Sequence, residues 1–120
     1  YYGLTTGGVV AVRTADLSPV WMATLAGKPA NNSAGTTATP EVVFAGGGDG
    51  QLHALSAIDG RELWHYDTNR NFDAVNKVPT KGGSISSGGA VVVDGRVYVG
   101  SGFGVVGGTT GNAVLAFGIE

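Results

Sequence analysis

Cysteine is absent from this chain, which excludes disulfides and thiolate metal sites and leaves the redox compartment unmarked. Charge is sparse as well. Seven Lys plus Arg against nine Asp plus Glu give a formal net charge of -2 and a pI near 5.5, so there is no basic footprint for nucleic acid as a partner. No apolar run reaches transmembrane length, and no charged-then-apolar leader opens the chain. It begins instead at Tyr1-Tyr2, in what its internal repeats make the middle of a strand, so a fragment or processed piece is expected. What the chain has in quantity is glycine: 22 of 120 residues, beside 42% apolar residues, describe one small, turn-rich, all-β unit.

The organising stretch is 42–64, VVFAGGGDGQLHALSAIDGRELW. A β-branched and aromatic run at 42–45 is followed by glycines at 46–50, which tolerate positive φ and turn the chain back. A second strand spans 52–58, Asp59-Gly60 reads as a two-residue hairpin signal, and a third strand carries Leu63-Trp64. The result is an antiparallel meander.

Sliding the chain against itself reveals two further copies. A shift of 43 places Trp21 on Trp64, Asp16 on Asp59, Ala11 on Ala54, Gly7 on Gly50 and Tyr1 on Phe44. At a shift of 54, Val97-Tyr98-Val99-Gly100 matches Val43-Phe44-Ala45-Gly46, and at 62, Val114-Leu115-Ala116-Phe117 matches Leu52-His53-Ala54-Leu55. The growing shift locates two insertions, one between Trp64 and Val97 and one between Gly100 and Val114. A repeat of this length with four short strands reads as the antiparallel four-stranded blade of a β-propeller. With strands A to D numbered from the centre outward, the divisions are a partial blade at 1–32, a complete blade at 33–66, an inserted D to A loop at 67–83, and a partial blade with an inserted B to C loop at 84–120. The complete blade has A near 33–38, B at 42–46, C at 51–57 and D at 61–66. In the last blade A is expected at 84–93, B at 96–101 and C at 113–119, with Asp94-Gly95 as the A to B hairpin. The outer blades each miss a strand, so their open edges predict pairing with further blades or other chains.

In a meandering blade alternate turns share an end, so the D to A and B to C connections lie on one face. Both insertions fall there, which makes that face the expected seat of function. Asp67, Asn69, Asn71 and Asp73 alternate oxygen ligands like a calcium loop, but Phe72 and Val78 stand where the glycine and bidentate glutamate belong, so no metal residue is assigned. Arg70, Lys77 and Lys81, with backbone N–H groups of Gly82-Gly83-Ser84, form a candidate anion site, against the plainer reading of exposed charges beside a turn. The GxG patterns at 46–50 and 102–108 precede no helix, which excludes a dinucleotide fingerprint. His53 and His65 lie on different strands without a further histidine at ligand spacing and read as structural or merely exposed. Trp21 and Trp64 read as packing residues between blades. Asn31-Asn32-Ser33 is a glycosylation sequon of consequence only in a eukaryotic secretory chain.

GDGQLHALSAIDGRELW at 48–64 resembles the tryptophan-docking repeat of the quinoprotein dehydrogenases. TATPEVVFAGGGDG at 37–50, YDTNRNFDAVNKVPTKGGSIS at 66–86 and VDGRVYVGSGFGVVGGTTGNAVLAF at 93–117 extend the likeness to the C-terminal part of the polyvinyl-alcohol-dehydrogenase-like branch. The resemblance covers 33–120 well and 1–32 through the repeat alone. Ser87-Gly88-Gly89, Thr109-Thr110 and Leu17-Ser18-Pro19 depart from it, where prolines or a glycine turn are more usual. It implies an eight-bladed propeller when complete and a periplasmic or secreted bacterial enzyme that oxidises a small alcohol or a polymer. Pyrroloquinoline quinone would sit over the channel with Ca2+ polarising its carbonyls, the calcium ligands and catalytic base coming largely from other blades. No catalytic residue is therefore carried over. The cofactor-lining positions it implies are Ser33, Thr36, Thr37, Gly48, Asp49, Lys81, Gly83, Ser84, Gly102, Phe103 and Gly104. The alternative is a quinoprotein-like propeller that serves as a binding or assembly module without redox chemistry.

Overall fold

The computed structural model describes residues 1–25, 34–86, 88–104 and 107–118, and none of these is helical. Glycine and Asx turns cut the described chain into short strands. A first sheet orders β1 (Tyr2–Gly3), β2 (Val9–Val12) and β3 (Pro19–Ala23). A second, four-stranded sheet orders β4 (Thr37–Ala38), β5 (Val42–Gly46), β6 (Gln51–Ser56) and β7 (Glu62–Asp67). A hairpin of β8 (Asn71–Asp73) and β9 (Pro79–Lys81) follows, then a third sheet of β10 (Val91–Val93), β11 (Arg96–Ser101) and β12 (Ala113–Gly118). Every pairing between these strands is antiparallel and sequential, so the sheets are blades of a β-propeller, one with four strands and two with three.

The register carries the repeat into three dimensions. Gly46 faces Leu52 and Ala45 faces His53, while Gly100 faces Val114 and Val99 faces Leu115, the pairs that the shifts of 54 and 62 equate. Because side chains alternate across a pleated strand, β5 sends Val43 and Ala45 toward the first sheet and Phe44 toward the third. One core therefore joins Val9 to Val43, Ala45 and Leu55. The other joins Ala34 and Leu52 to Ile85, Ala90 and Val99, with Phe44, Val97, Leu115 and Phe117 packed against it. Neither sheet has a core of its own, so stability resides in the seams between sheets.

Trp21 closes the first seam. Its indole N–H donates to the Ala57 carbonyl at 3.1 Å, and its ring lies so close to Gly60 that a Cβ there would stand 2.5 Å from Cε3. Tyr1 completes the cover with ring centroids 5.6 Å apart. Trp64, at the equivalent place, stands edge-on to Phe117 at 5.1 Å and stacks on Tyr66 at 5.8 Å.

Three expectations need adjusting. Asp94-Gly95 is a two-residue turn with positive φ at both residues, but at Asp59-Gly60 only Gly60 is positive, at 73°. The connection there is wider: Gly60 N–H bonds the Ser56 carbonyl, Asp59 Oδ1 accepts from the Arg61 amide, and a bulge falls between Ala54 and Leu55. Residues 67–83 carry a hairpin where a loop is expected, its strands registered Asn71 to Lys81. Only Val91–Val93 pairs as the inner strand expected over 84–93, because Ile85 bridges Phe103 in parallel and turns its amide to the Gly47 carbonyl.

Removing the Trp21 ring deletes packing and one of the hydrogen bonds across the first seam. Trp21→Ala is expected to cost about 2–3 kcal/mol in a urea unfolding titration of the protein that carries this chain, and Gly60→Ala about 1–3 kcal/mol through strained φ and collision with the indole.

Candidate functional site

Three glycine-rich connections meet at one end of the second and third sheets: the β5–β6 turn at 47–50, the segment leaving β9 at 82–86, and the described parts of the β11–β12 loop, 102–104 and 107–112. The middle segment is stitched to both neighbours. Ile85 N–H donates to Gly47 O at 2.9 Å and Ser84 Oγ to Gly48 O at 2.5 Å on one side. On the other, Ser84 N–H donates to Thr109 O at 2.8 Å, Ser84 Oγ accepts from Thr109 N–H at 2.8 Å, and Gly102 N–H donates to Ser84 O at 2.9 Å. Beneath it lies a buried hydroxyl pair, Thr68 Oγ1 and Ser101 Oγ, 2.7 Å apart. Thr68 also donates to Gly50 O at 2.6 Å, and Ser101 Oγ accepts from Gly83 N–H at 2.8 Å. Thr68 and Ser84 are fully buried, and no buried side-chain polar atom among the described residues lacks a partner. A network satisfied at every member rigidifies the junction, and removing one member strands the others.

This places the candidate residues as follows. Gly48, Gly83, Ser84 and Gly102 come together in the junction, with Phe103 beside Ile85 through the parallel bridge. Gly104 packs on Gly108 within the same loop, and the Phe103 side chain is 64% exposed. Lys81 is held by its backbone, which accepts from the Asn112 amide and donates to Asn112 Oδ1, while its side chain is exposed. Asp49 turns inward on its own loop, its Oδ1 accepting from Gln51 N–H at 3.1 Å. Thr36 and Thr37 bond elsewhere, to Tyr1 O at 3.1 Å and Ala90 O at 2.5 Å, fixing the inner strand to the sheets on either side. Ser33 and the sequon lie outside the described residues.

The anion site is not formed as expected. The Gly82, Gly83 and Ser84 amides are donated to Arg70 O, Ser101 Oγ and Thr109 O, so none points outward. Arg70 is also engaged: its guanidinium lies over the Tyr66 ring at 4.7 Å and the Phe72 ring at 5.3 Å and bonds the Tyr66 hydroxyl. The junction borders a cleft of about 480 Å3 lined by Gly88, Gly89, Gly100, Gly102, Phe103 and Val114 among others. A wider apolar groove of about 810 Å3 separates the outer parts of the second and third sheets, with Trp64 and Tyr66 on one wall and Val97 and Phe117 on the other.

A cluster unmarked in the sequence joins the two histidines. His53 and His65 face each other across β6 and β7, and Glu62 bonds both Nδ1 atoms, at 2.7 and 2.9 Å. Strict alternation from His65 would put Glu62 on the opposite face; the bulge between Ala54 and Leu55 brings it over. Burial is the largest influence on Glu62 and pushes its carboxyl up, but the hydrogen bonds and charge attraction of the two imidazoles together outweigh it and hold the carboxyl below its ordinary value. Its two bonds make this cluster a clasp between β6 and β7.

No protein-family model matches the chain. It is 34% identical over 131 aligned positions to a polyvinylalcohol dehydrogenase from Pseudomonas sp., an alignment covering 94% of this chain and 20% of that protein. The chain thus spans about a fifth of the length of the curated relative it matches. Among solved structures the chain is similar to BamB from Moraxella catarrhalis, with a TM-score of 0.43 at 20% identity over 82% of this chain and 42% of that one.

Glu62 titrates lower in the folded chain than its ordinary 4.5, so its stabilising contribution is full above that value and is lost as pH falls through the folded value. In an acid titration of unfolding midpoint, Glu62→Gln is expected to flatten the decline below pH 4.5 relative to the parent protein, with the difference vanishing at lowest pH.

Proposed function

We propose that this chain supplies part of the cofactor face of a quinone-dependent dehydrogenase propeller that oxidises alcohols of the polyvinyl-alcohol type. The observation that carries the reading is the 34% identity to a polyvinylalcohol dehydrogenase over 94% of the chain. The three-connection junction supports it, because the inserted loops gather at one end of a rigid scaffold. Further blades, from the same polypeptide or other chains, complete the ring, and the periplasm or extracellular space is its location.

When bound, pyrroloquinoline quinone accepts the two electrons of alcohol oxidation, and Ca2+ polarises its carbonyls. This chain's residues suit the wall of such a site and not its metal centre. Gly102 and Gly104 present backbone without side chains, Phe103 offers an exposed ring to a planar group, and Lys81 offers a cation to carboxylates. Thr36, Thr37, Gly48, Asp49, Gly83 and Ser84 hold the frame behind that wall through the bonds already described. In this reading the calcium ligands come from other blades.

The alternative, a propeller that binds or assembles without redox chemistry, is favoured by one observation: the amides best placed to grip an anionic cofactor are committed within the protein.

Reconstituting the complete protein with calcium and pyrroloquinoline quinone, then following dye reduction by alcohols, separates the two. The dehydrogenase reading expects quinone-dependent turnover. It also expects Phe103→Ala to weaken quinone binding about tenfold, through loss of roughly 1.4 kcal/mol of ring contact, with little change in unfolding midpoint because the ring is exposed. Absence of quinone binding by the complete, folded protein would overturn it.

A further inference from the structure

The cleft beside Gly100 has a filled counterpart in the same chain. In the second sheet Gly46 faces Leu52, and the side chain of Ile85 occupies the space above them: a Cβ built on Gly46 would stand 2.3 Å from Ile85 Cγ2, and Ala34 lies alongside. Ile85 is 1% exposed there and Leu52 is fully buried. Two bonds fix the plug, from Ile85 N–H to Gly47 O and from Ser84 Oγ to Gly48 O.

The shifts that relate the sheets map each part of this socket onto the third sheet. Gly46 becomes Gly100, Leu52 becomes Val114, Ala34 becomes Gly88, and Gly47 becomes Ser101. The register independently preserves the pairing, Gly100 facing Val114 as Gly46 faces Leu52. These equivalents line the cleft of about 480 Å3. In contrast to the filled socket, Cβ atoms built on Gly88 and Gly100 meet nothing within 4 Å, and Val114 is 78% exposed. Tyr98 and Ala116, the counterparts of Phe44 and Ala54, continue the same outward face around it.

We infer that the Gly88–Gly100–Val114 cleft is a docking socket for an extended chain segment of the type Gly-Ser-aliphatic, contributed by an adjoining blade in the way Gly83-Ser84-Ile85 serves the second sheet. The aliphatic side chain lies on Gly100 and Val114, where a β-carbon in place of Gly100 would exclude it. Its amide donates to the Ser101 carbonyl, and the preceding serine reaches the glycine that follows, Gly102. The cleft floor is thus read by a peptide, and this holds whether or not the face above it carries a quinone. Burial of one aliphatic residue, two backbone-directed bonds and the continuation of an existing seam argue for a blade over a small ligand.

The test uses the complete polypeptide that carries this chain, with a diazirine analogue of leucine at Val114 and, as a control, at Val75, whose side chain is fully exposed. After irradiation, mass spectrometry is expected to map the Val114 crosslink to an aliphatic residue directly after a small-residue–serine pair outside 84–86. Adding Gly100→Val is expected to reduce its yield about tenfold, equivalent to roughly 1.4 kcal/mol of lost docking. A crosslink to residues 105–106, capture of a small molecule, a yield no greater than the Val75 control, or a yield unchanged by Gly100→Val would each overturn the proposal.

Discussion

The contact on which this architecture turns is Ile85 seated against Gly46. A β-sheet with one strand order and no helix has two faces to bury, and each sheet here buries one only by borrowing side chains from its neighbour. Ile85 is borrowed in the strict sense. It belongs to no sheet ladder, yet it joins Leu52 of the second blade to Ala90 and Val99 of the third in one core. Its seat exists because Gly46 has no β-carbon. The serine before it converts the same insertion into a hydrogen-bonded crossing, and Thr68 and Ser101 anchor the crossing from below.

That arrangement decides what the end of the blades can do. A segment whose amides and hydroxyls are all bonded internally makes a stiff floor, and a stiff floor is what a planar cofactor or a docked strand requires. In the proposed reading the groups that would grip a ligand stand clear of the floor, such as the exposed Phe103 ring and Lys81 side chain. Under the proposed dehydrogenase reading, this chain supplies frame and wall while the metal centre lies on other blades.

The strands were legible because local rules govern them. β5, β6 and β7 follow from a β-branched run, a glycine turn and a tryptophan-bearing strand, and the shifts of 43, 54 and 62 hold in the ladder registers. Trp21 as a packing residue between blades was legible from its place in the repeat. What was hidden depends on approach between distant residues. No periodicity shows that the 82–84 amides are consumed by Arg70, Ser101 and Thr109, since Ser101 closes the next strand pair and Thr109 lies beyond it. Glu62 as the clasp between His53 and His65 was concealed by a one-residue bulge that reverses the facing of alternate side chains. The hairpin at Asn71–Asp73 and Pro79–Lys81 was masked by polar composition and a proline at its edge.

The central claim, that a plug in a glycine seat joins the second and third blades, is tested most directly by a double-mutant cycle on Gly46 and Ile85. Unfolding free energies would be measured for Gly46→Ala, Ile85→Ala and the pair in the protein that carries this chain. Ile85→Ala is predicted to cost about 2–5 kcal/mol by cavity formation and Gly46→Ala about 1–3 kcal/mol by overpacking. In the double variant the smaller side chain makes room for the new methyl group, so its cost should fall short of the sum by about 1 kcal/mol or more. Additivity of the two costs to within about 0.5 kcal/mol would contradict the account.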